Sequence, residues 1–564
     1  MHVTLLSIAL FFFSFAANAA DKPRSCERKE AQSLLEQGMV LQGELESERA
    51  LEKYKACLAA EPACQACVYE SGWSYWKLGQ WEETVAAWES VLAANPSDPD
   101  VLQFLPTAKE NLSLVKVKKI PTTFVSGVKL GARSTPADSP LSLLFLARRQ
   151  SYNRTPESPL DVFDADIQSP KSVHFSADGK KVYVNSLEGG RTAIFDALGT
   201  EKLGLIRHKF TEAEAQFFLE GEKAPWGYSF AKSVKKPNEF VGKPVEIEHS
   251  HAGKFLWIPY YRRSYDANGA MPSALAIVDT ATDKIVRVMA VGPISKYVKR
   301  SHTNRWMAVS HWGDNTVGLI DMRGKKPDAF RHEQLLVVEK KIPAKEMKGD
   351  RDSNCGFCVR GLAFTEDDKY LFVTRMKGGG LSVFKLDPKG PAMPLYLGTL
   401  FGLVPGPRDL EINDKGELFV TCNASGMVMR VPWRELVAKL GEIPADTKYE
   451  ARSLRIKASD VSSAKVYVGE GARSLRLSKD GKTIFVTVNK TSELVGVDVS
   501  AMRIAARIPV DSYPVGLELS PDGSQVWVTS QGRSAKGGNS VGVFQARYKM
   551  QEIVPSAHGE DEKK

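Results

Sequence analysis

Five short segments of the chain carry a basic residue at the third position, each entering a stretch of β-type sequence: "SPKSVHF" has Lys171, "ISKYVKR" has Lys296, "CVRGLAF" has Arg360, "GPRDLEI" has Arg408 and "GARSLRL" has Arg473. Brought together, such cations would grip carboxylate or phosphate, the arginines bidentately. Placed about 10 Å apart at an effective dielectric near 40, each pair repels by about 0.8 kcal/mol, so something must offset a ring of them. The offset is either a bound anion or internal pairing with acids, for which Asp409, Glu246 and Glu518 are candidates, or solvation at an open mouth.

Other reactive side chains are sparser. Cys26, Cys57, Cys64 and Cys67 crowd the N-terminal tenth of the chain, whereas Cys355, Cys358 and the seventh, Cys422, lie far downstream. Neither "CQACV" nor "CGFCV" is followed by His, so the c-type haem pattern fails. Disulfides suit these cysteines better than a shared zinc or a redox pair, and the four N-terminal ones leave three pairings open. His311 lies near Asp314 and could act as a base. In "EHSHAG", His249 and His251 have metal-capable spacing. A lone pair of ligands carries little, so neither a metal nor a cofactor is expected. No GxSxG, HExxH, EF-hand loop or dinucleotide fingerprint occurs in context. "SKDGKT" echoes the tail of a phosphate loop, but Arg476 stands where the first glycine is required.

The elements that position these residues fall into two repeat systems. The chain opens with "MHVTLLSIALFFFSFAANAADKP", an apolar run ahead of Ala17-Asn18-Ala19, which reads as a signal peptide over 1–20; an uncleaved anchor is the alternative. Over 21–110, "ALEKYKACLAAEP" and "TVAAWESVLAANP" superimpose at an offset of 34, with Tyr54 on Trp88 and Pro62 on Pro96. That offset is the tetratricopeptide period, and it predicts a short helical solenoid stapled by cysteines. Residues 111–150 read as a linker with one strand, "LSLLFLARR", able to close a later sheet.

From 151 to 548 seven turns recur: "SADG", "SHAG", "SHTN", "TEDD", "NDKG", "SKDG" and "SPDG". Each precedes a β-rich run such as "KKVYVNS", "KYLFVTR" or "SQVWVTS", and most copies add a third strand. Seven all-β copies predict a seven-bladed β-propeller after the helical domain, a multidomain α and all-β chain with a charged tail at 549–564. Long insertions at about 205 to 243 and 323 to 354 interrupt the rhythm.

"YVNS" and three "FVT" runs resemble the YVTN family of seven-bladed propellers. The resemblance implies that the first strand of each blade is innermost and enters from the face that also carries the loops after the second strands. Lys171, Lys296, Arg360, Arg408 and Arg473 would then stand in register on one face, with Val245 and Val515 in the other two blades. With 76 basic residues in 564, seven positions would carry about one by chance. The neighbouring loops would add Tyr260, His311, Trp312, Arg375 and Asn423, a mixture of cations, amides and aromatic faces suited to an anionic or polyhydroxylated ligand.

The net charge of +9 favours anionic partners without naming one. The function that fits is an exported binding or scaffold protein, periplasmic or secreted and envelope-associated. Its helical repeats would hold a protein or peptide, and its basic face an anionic ligand or envelope polymer. No nucleic-acid partner is expected, nor a membrane span in the mature chain. The alternative is an enzyme of lactonase or quinoprotein-like type using the same face.

Overall fold

The computed structural model describes residues 24–43, 46–116, 128–199, 201–219, 234–343, 349–390, 393–401, 404–442, 456–532 and 538–548. The expected signal peptide, the charged tail and part of each long insertion lie outside these residues. Five helices come first: α1 (Lys29–Gly43), α2 (Ser47–Ala60), α3 (Gln65–Leu78), α4 (Trp81–Ala94) and α5 (Pro99–Lys116). In the first hairpin Gly38 faces the Tyr54 ring, and 34 residues on Gly72 faces Trp88. An added Cβ would come within 2.3 Å and 2.1 Å of those rings, so glycine admits the aromatic that fills each hairpin. Disulfides join Cys26 to Cys64 and Cys57 to Cys67, settling which of the three pairings the cysteines adopt; Cys355 joins Cys358, and Cys422 is free and buried.

Seven sheets follow, antiparallel but for an added parallel strand in two of them, arranged as propeller blades, so the architecture is the expected helical segment plus seven-bladed propeller. The innermost strands are Pro170–Phe175, Glu248–Ser250, Ser295–Arg300, Val359–Phe364, Pro407–Ile412, Ala472–Leu477 and Pro514–Leu519. Leu141–Gln150 lies antiparallel to Ser540–Tyr548, with Leu141 opposite Tyr548 and Gln150 opposite Ser540, so the last blade is built from both ends of the domain. This leaves Ser540–Tyr548 without a free edge. A further helix, α6 (Trp433–Gly441), interrupts the fifth blade.

Two repeated residues explain the sequence rhythm. The Ser or Thr that opens four of the turns accepts a hydrogen bond from the backbone N–H five residues on and donates to the Asp two residues on, as Ser176 does with Lys181 and Asp178 and Ser520 with Gln525 and Asp522. This local bonding fixes the hairpin. The Thr of "FVT" reaches the neighbouring blade: Thr374 donates to the Arg408 carbonyl at 3.0 Å, Thr421 to that of Arg473 at 2.7 Å, and Thr529 to that of Lys171 at 3.0 Å. Gly361 and Gly516 permit the approach, since a Cβ there would meet the Arg408 and Lys171 carbonyls at 2.7 Å and 2.3 Å.

The helical domain is not a free arm. Its tryptophan-rich core, including Trp73, Trp76 and Trp88, is continuous with Leu410, Val420 and Met427 of the propeller. Lys465 on the outer strand of blade 5 donates to Glu110 and Asn111 of α5 at 2.9 Å and 2.5 Å, and Lys377 donates to Glu46 at 3.1 Å.

Candidate functional site

In six of the seven innermost strands the pairing with the second strand shifts register within the first four residues, as between Pro170 and Val173 or Pro407 and Asp409. Such a bulge sets two residues against one and re-aims the side chains around it. Lys171, Lys296, Arg360, Arg408 and Arg473 stand at these bulges, in blades 1, 3, 4, 5 and 6. They are close enough to repel one another. Burial, then Arg473, Arg408, Lys296 and Arg360, pushes the Lys171 ammonium well below the usual lysine range. Burial and Arg473 press Arg408 down in the same way, and Arg473 falls to about 10 through burial, opposed by Tyr513 and assisted by Arg360. Lys296 is lowered to about 8, chiefly by burial and against the pull of Asp352.

Acids offset only part of this charge. Lys296 Nζ lies 2.7 Å from Asp352 Oδ1, between the rings of Tyr261 and Trp312 at 4.2 Å and 4.9 Å. Arg360 bonds Glu246 at 2.8 Å and lies 3.7 Å from Asp409. Arg408 has no acid at ion-pair distance among the described residues; one Nη approaches Met376 Sδ at 3.0 Å. Arg473 lies over the Tyr513 ring at 5.6 Å. Lys171 has no acid at ion-pair distance among the described residues, though Glu246 and Asp352 feel its charge. Arg408 Nε, Arg473 Nε and Arg360 Nη1 are buried donors with no hydrogen-bond acceptor.

Further along the inner strands, Ser172, Glu246, Asp409, Ser474 and Arg476 line a small cavity. Arg476 there binds Glu518 at 3.1 Å and Glu411 at 3.4 Å, while Asp409 Oδ2 lies 3.7 Å away. Positive charge therefore dominates one mouth, and an interlaced layer of acids and bases fills the channel below.

The residues expected from the adjoining loops divide. Trp312 stands at the mouth beside Lys296, its indole N–H donating to the Asp352 carbonyl at 2.9 Å. The structure does not bring Tyr260 or His311 there. Tyr260 is fully buried with its hydroxyl 3.0 Å from His208 Nδ1. His311 is fully buried too, with Nδ1 2.8 Å from Thr316 Oγ1, which donates to Asp314 at 2.7 Å; burial lowers the imidazole to about 3. Arg375 is paired with Glu339 and stacked on Phe357 at 3.9 Å. Asn423 donates to the Ala472 carbonyl at 3.1 Å.

Asp352, Tyr261 and Tyr513 complete the mouth. Asp352 arrives on the insertion that the Cys355–Cys358 bridge ends, and no local pattern announces it. Tyr513 precedes the first strand of blade 7, so its place next to Arg473 follows from ring order once the blades are counted.

The helices adjoin the same mouth. Gly79, at the end of α3, packs on the Ala424–Ser425 backbone, and Asn423 beside it bonds the Gly406 carbonyl two residues before Arg408.

No protein-family model and no curated protein matches the sequence. Solved structures match at low identity. Hydrazine synthase of Kuenenia stuttgartiensis is 13% identical with a TM-score of 0.43, over 70% of this chain and 99% of that one. The Cps50 (Swd1) propeller domain of Myceliophteria thermophila is 12% identical with a TM-score of 0.43, over 67% and 96%. A chain of the mitotic checkpoint complex is 13% identical with a TM-score of 0.41, over 69% and 96%.

Proposed function

We propose that this protein is an exported receptor or scaffold that captures a multivalent anion at the basic mouth of its propeller, with the adjoining helical repeats offering a protein or peptide a second foothold. The observation that carries this reading is the incompletely paired state of the mouth. Five bases converge, only Lys296 and Arg360 have an acid at ion-pair distance among the described residues, and three guanidinium N–H donors there lack acceptors. A buried donor without a partner costs on the order of 1–3 kcal/mol, and an anion on the axis supplies acceptors to several at once. The closeness of α3 to Arg408 supports a composite surface in which an acidic or anion-bearing partner touches both domains. Three disulfides and the apolar leader expected at 1–20 fit an oxidising, extracytoplasmic compartment. No helix among the described residues is long and apolar enough to cross a membrane.

The test is direct. Pyrophosphate, polyphosphate, polyglutamate and dextran sulfate are titrated at low salt, with melting temperature and heat of binding as readouts. At least one should bind with strong salt dependence, and Arg473→Gln should weaken it by at least tenfold. If none of the four binds at low salt, the mouth is only a structural charge layer and the reading fails.

A further inference from the structure

At the other end of the same channel, away from the basic mouth, two histidines meet that the sequence does not pair. His249 does not turn toward His251, whose Nε2 is 2.9 Å from the Gly324 carbonyl and whose Nδ1 is 2.9 Å from Ser250 Oγ. It meets His174 of the neighbouring inner strand instead, with His174 Nε2 2.8 Å from His249 Nδ1. Glu248 joins them, and one ligand atom from each of the three lies within 4.8 Å of the others. His174 and His249 keep 13% and 28% of their side-chain surface, so an ion can reach them from solvent.

We infer that His174, His249 and Glu248 form a binding site for a divalent transition-metal ion of the zinc class, a site distinct from the anion-binding mouth. The chemistry of the donors favours this. Two imidazoles and one carboxylate are the N/O set that zinc accepts, leaving a fourth position for water or an external ligand. The outer contacts prepare the ligands. Glu518 Oε2 lies 3.4 Å from His174 Nδ1 and is itself held by Arg476 at 3.1 Å. A proton on Nδ1 facing that carboxylate leaves the Nε2 lone pair aimed at His249, the arrangement that orients a metal-bound imidazole. Glu248 Oε1 stands 3.6 Å from His249 Nδ1, close to the spacing of two ligands on one tetrahedral ion. The two imidazole nitrogens need to part by only about 0.5 Å to admit metal–nitrogen bonds of about 2.0–2.1 Å. The proton between the two rings passes by way of solvent to His249 Nε2, and the ion takes its place between neutral imidazoles. Lys299, 3.8 Å from Glu248, competes for the carboxylate and is displaced toward Glu411, with which it also interacts.

The test uses untagged full-length protein under non-reducing conditions, in competition with a chromogenic chelator for zinc and with cobalt(II) as an optical probe. One equivalent of zinc should bind, magnesium and calcium should not compete, and the cobalt spectrum should lack a sulfur-to-metal charge-transfer band. His174→Ala and His249→Ala should each lower zinc affinity by at least tenfold, while His251→Ala leaves it unchanged. Each variant is checked by melting temperature, and His249→Asn serves as a milder replacement should an alanine variant fail to fold. The inference is overturned if wild-type protein binds no zinc, if the His174 and His249 variants bind it equally well, or if cobalt reports thiolate ligation, which would place the ion at cysteine and not at the histidines.

Discussion

Arg408 is the residue at which binding and stability part company. It is 9% exposed, has no acid at ion-pair distance among the described residues, and sits among like charges. Ligand-free protein therefore carries a buried charge that Tyr513 and Asp409 offset only in part, and replacing a buried charge by an apolar residue of similar length commonly stabilises. Arg408→Met should raise the ligand-free melting stability by about 1 kcal/mol while weakening anion binding. A variant that is less stable and still binds would show Arg408 to be a packing residue. Lys296 gives the pH dependence its sign. Its folded ammonium titrates at about 8 against an ordinary 10.5. Between those values the unfolded chain holds more protons than the folded one, so ligand-free stability rises with pH across that window. The stabilisation conferred by an anion is full below about pH 8 and declines above it. Melting curves with and without pyrophosphate from pH 6.5 to 10 check both trends, and Lys296→Met should flatten them.

Among the elements, the second strands do more than pair within their own sheets. Thr421 accepts from the Asp409 N–H at 3.1 Å and donates to the Arg473 carbonyl at 2.7 Å, tying blade 5 to the start of the next inner strand. Thr421→Val keeps the shape and removes both bonds, so it should cost about 2 kcal/mol in denaturant unfolding, with Arg473 losing its backbone anchor. The blades were legible in sequence because their information is local: Ser176, Ser478 and Ser520 bond their own turns, and alternation marks the strands on either side. What the sequence read only as a family-like motif, the Thr of "FVT", is an inter-blade clamp. The metal-capable histidine pair was legible only as His249 and His251 because those are neighbours along the chain. His174 lies 75 residues from His249, and only ring order makes them adjacent. Asp352 was hidden for a related reason, since it returns to the axis on a long insertion whose path no periodicity fixes.

At the scale of the whole molecule, the two domains share one apolar core along blade 5, so the helices buttress the ring as well as extend its face. The strand Leu141–Gln150 belongs to that ring, not to the helical part. A chain beginning at residue 128 should therefore fold to a monomeric propeller of reduced stability. One beginning at 151 leaves Ser540–Tyr548 as an open edge, and should oligomerise or aggregate in size-exclusion chromatography with light scattering.

That shared last blade also has a temporal side. The pairing of residue 141 with residue 548 spans nearly the whole propeller, so its loop-closure entropy must be met before the contact returns anything, and folding with such distant pairings is slow. The ring cannot complete until the C-terminal strand has been delivered. A chain made from its N-terminus thus stays unclosed until its last strand exists, and circularisation becomes the last act of maturation.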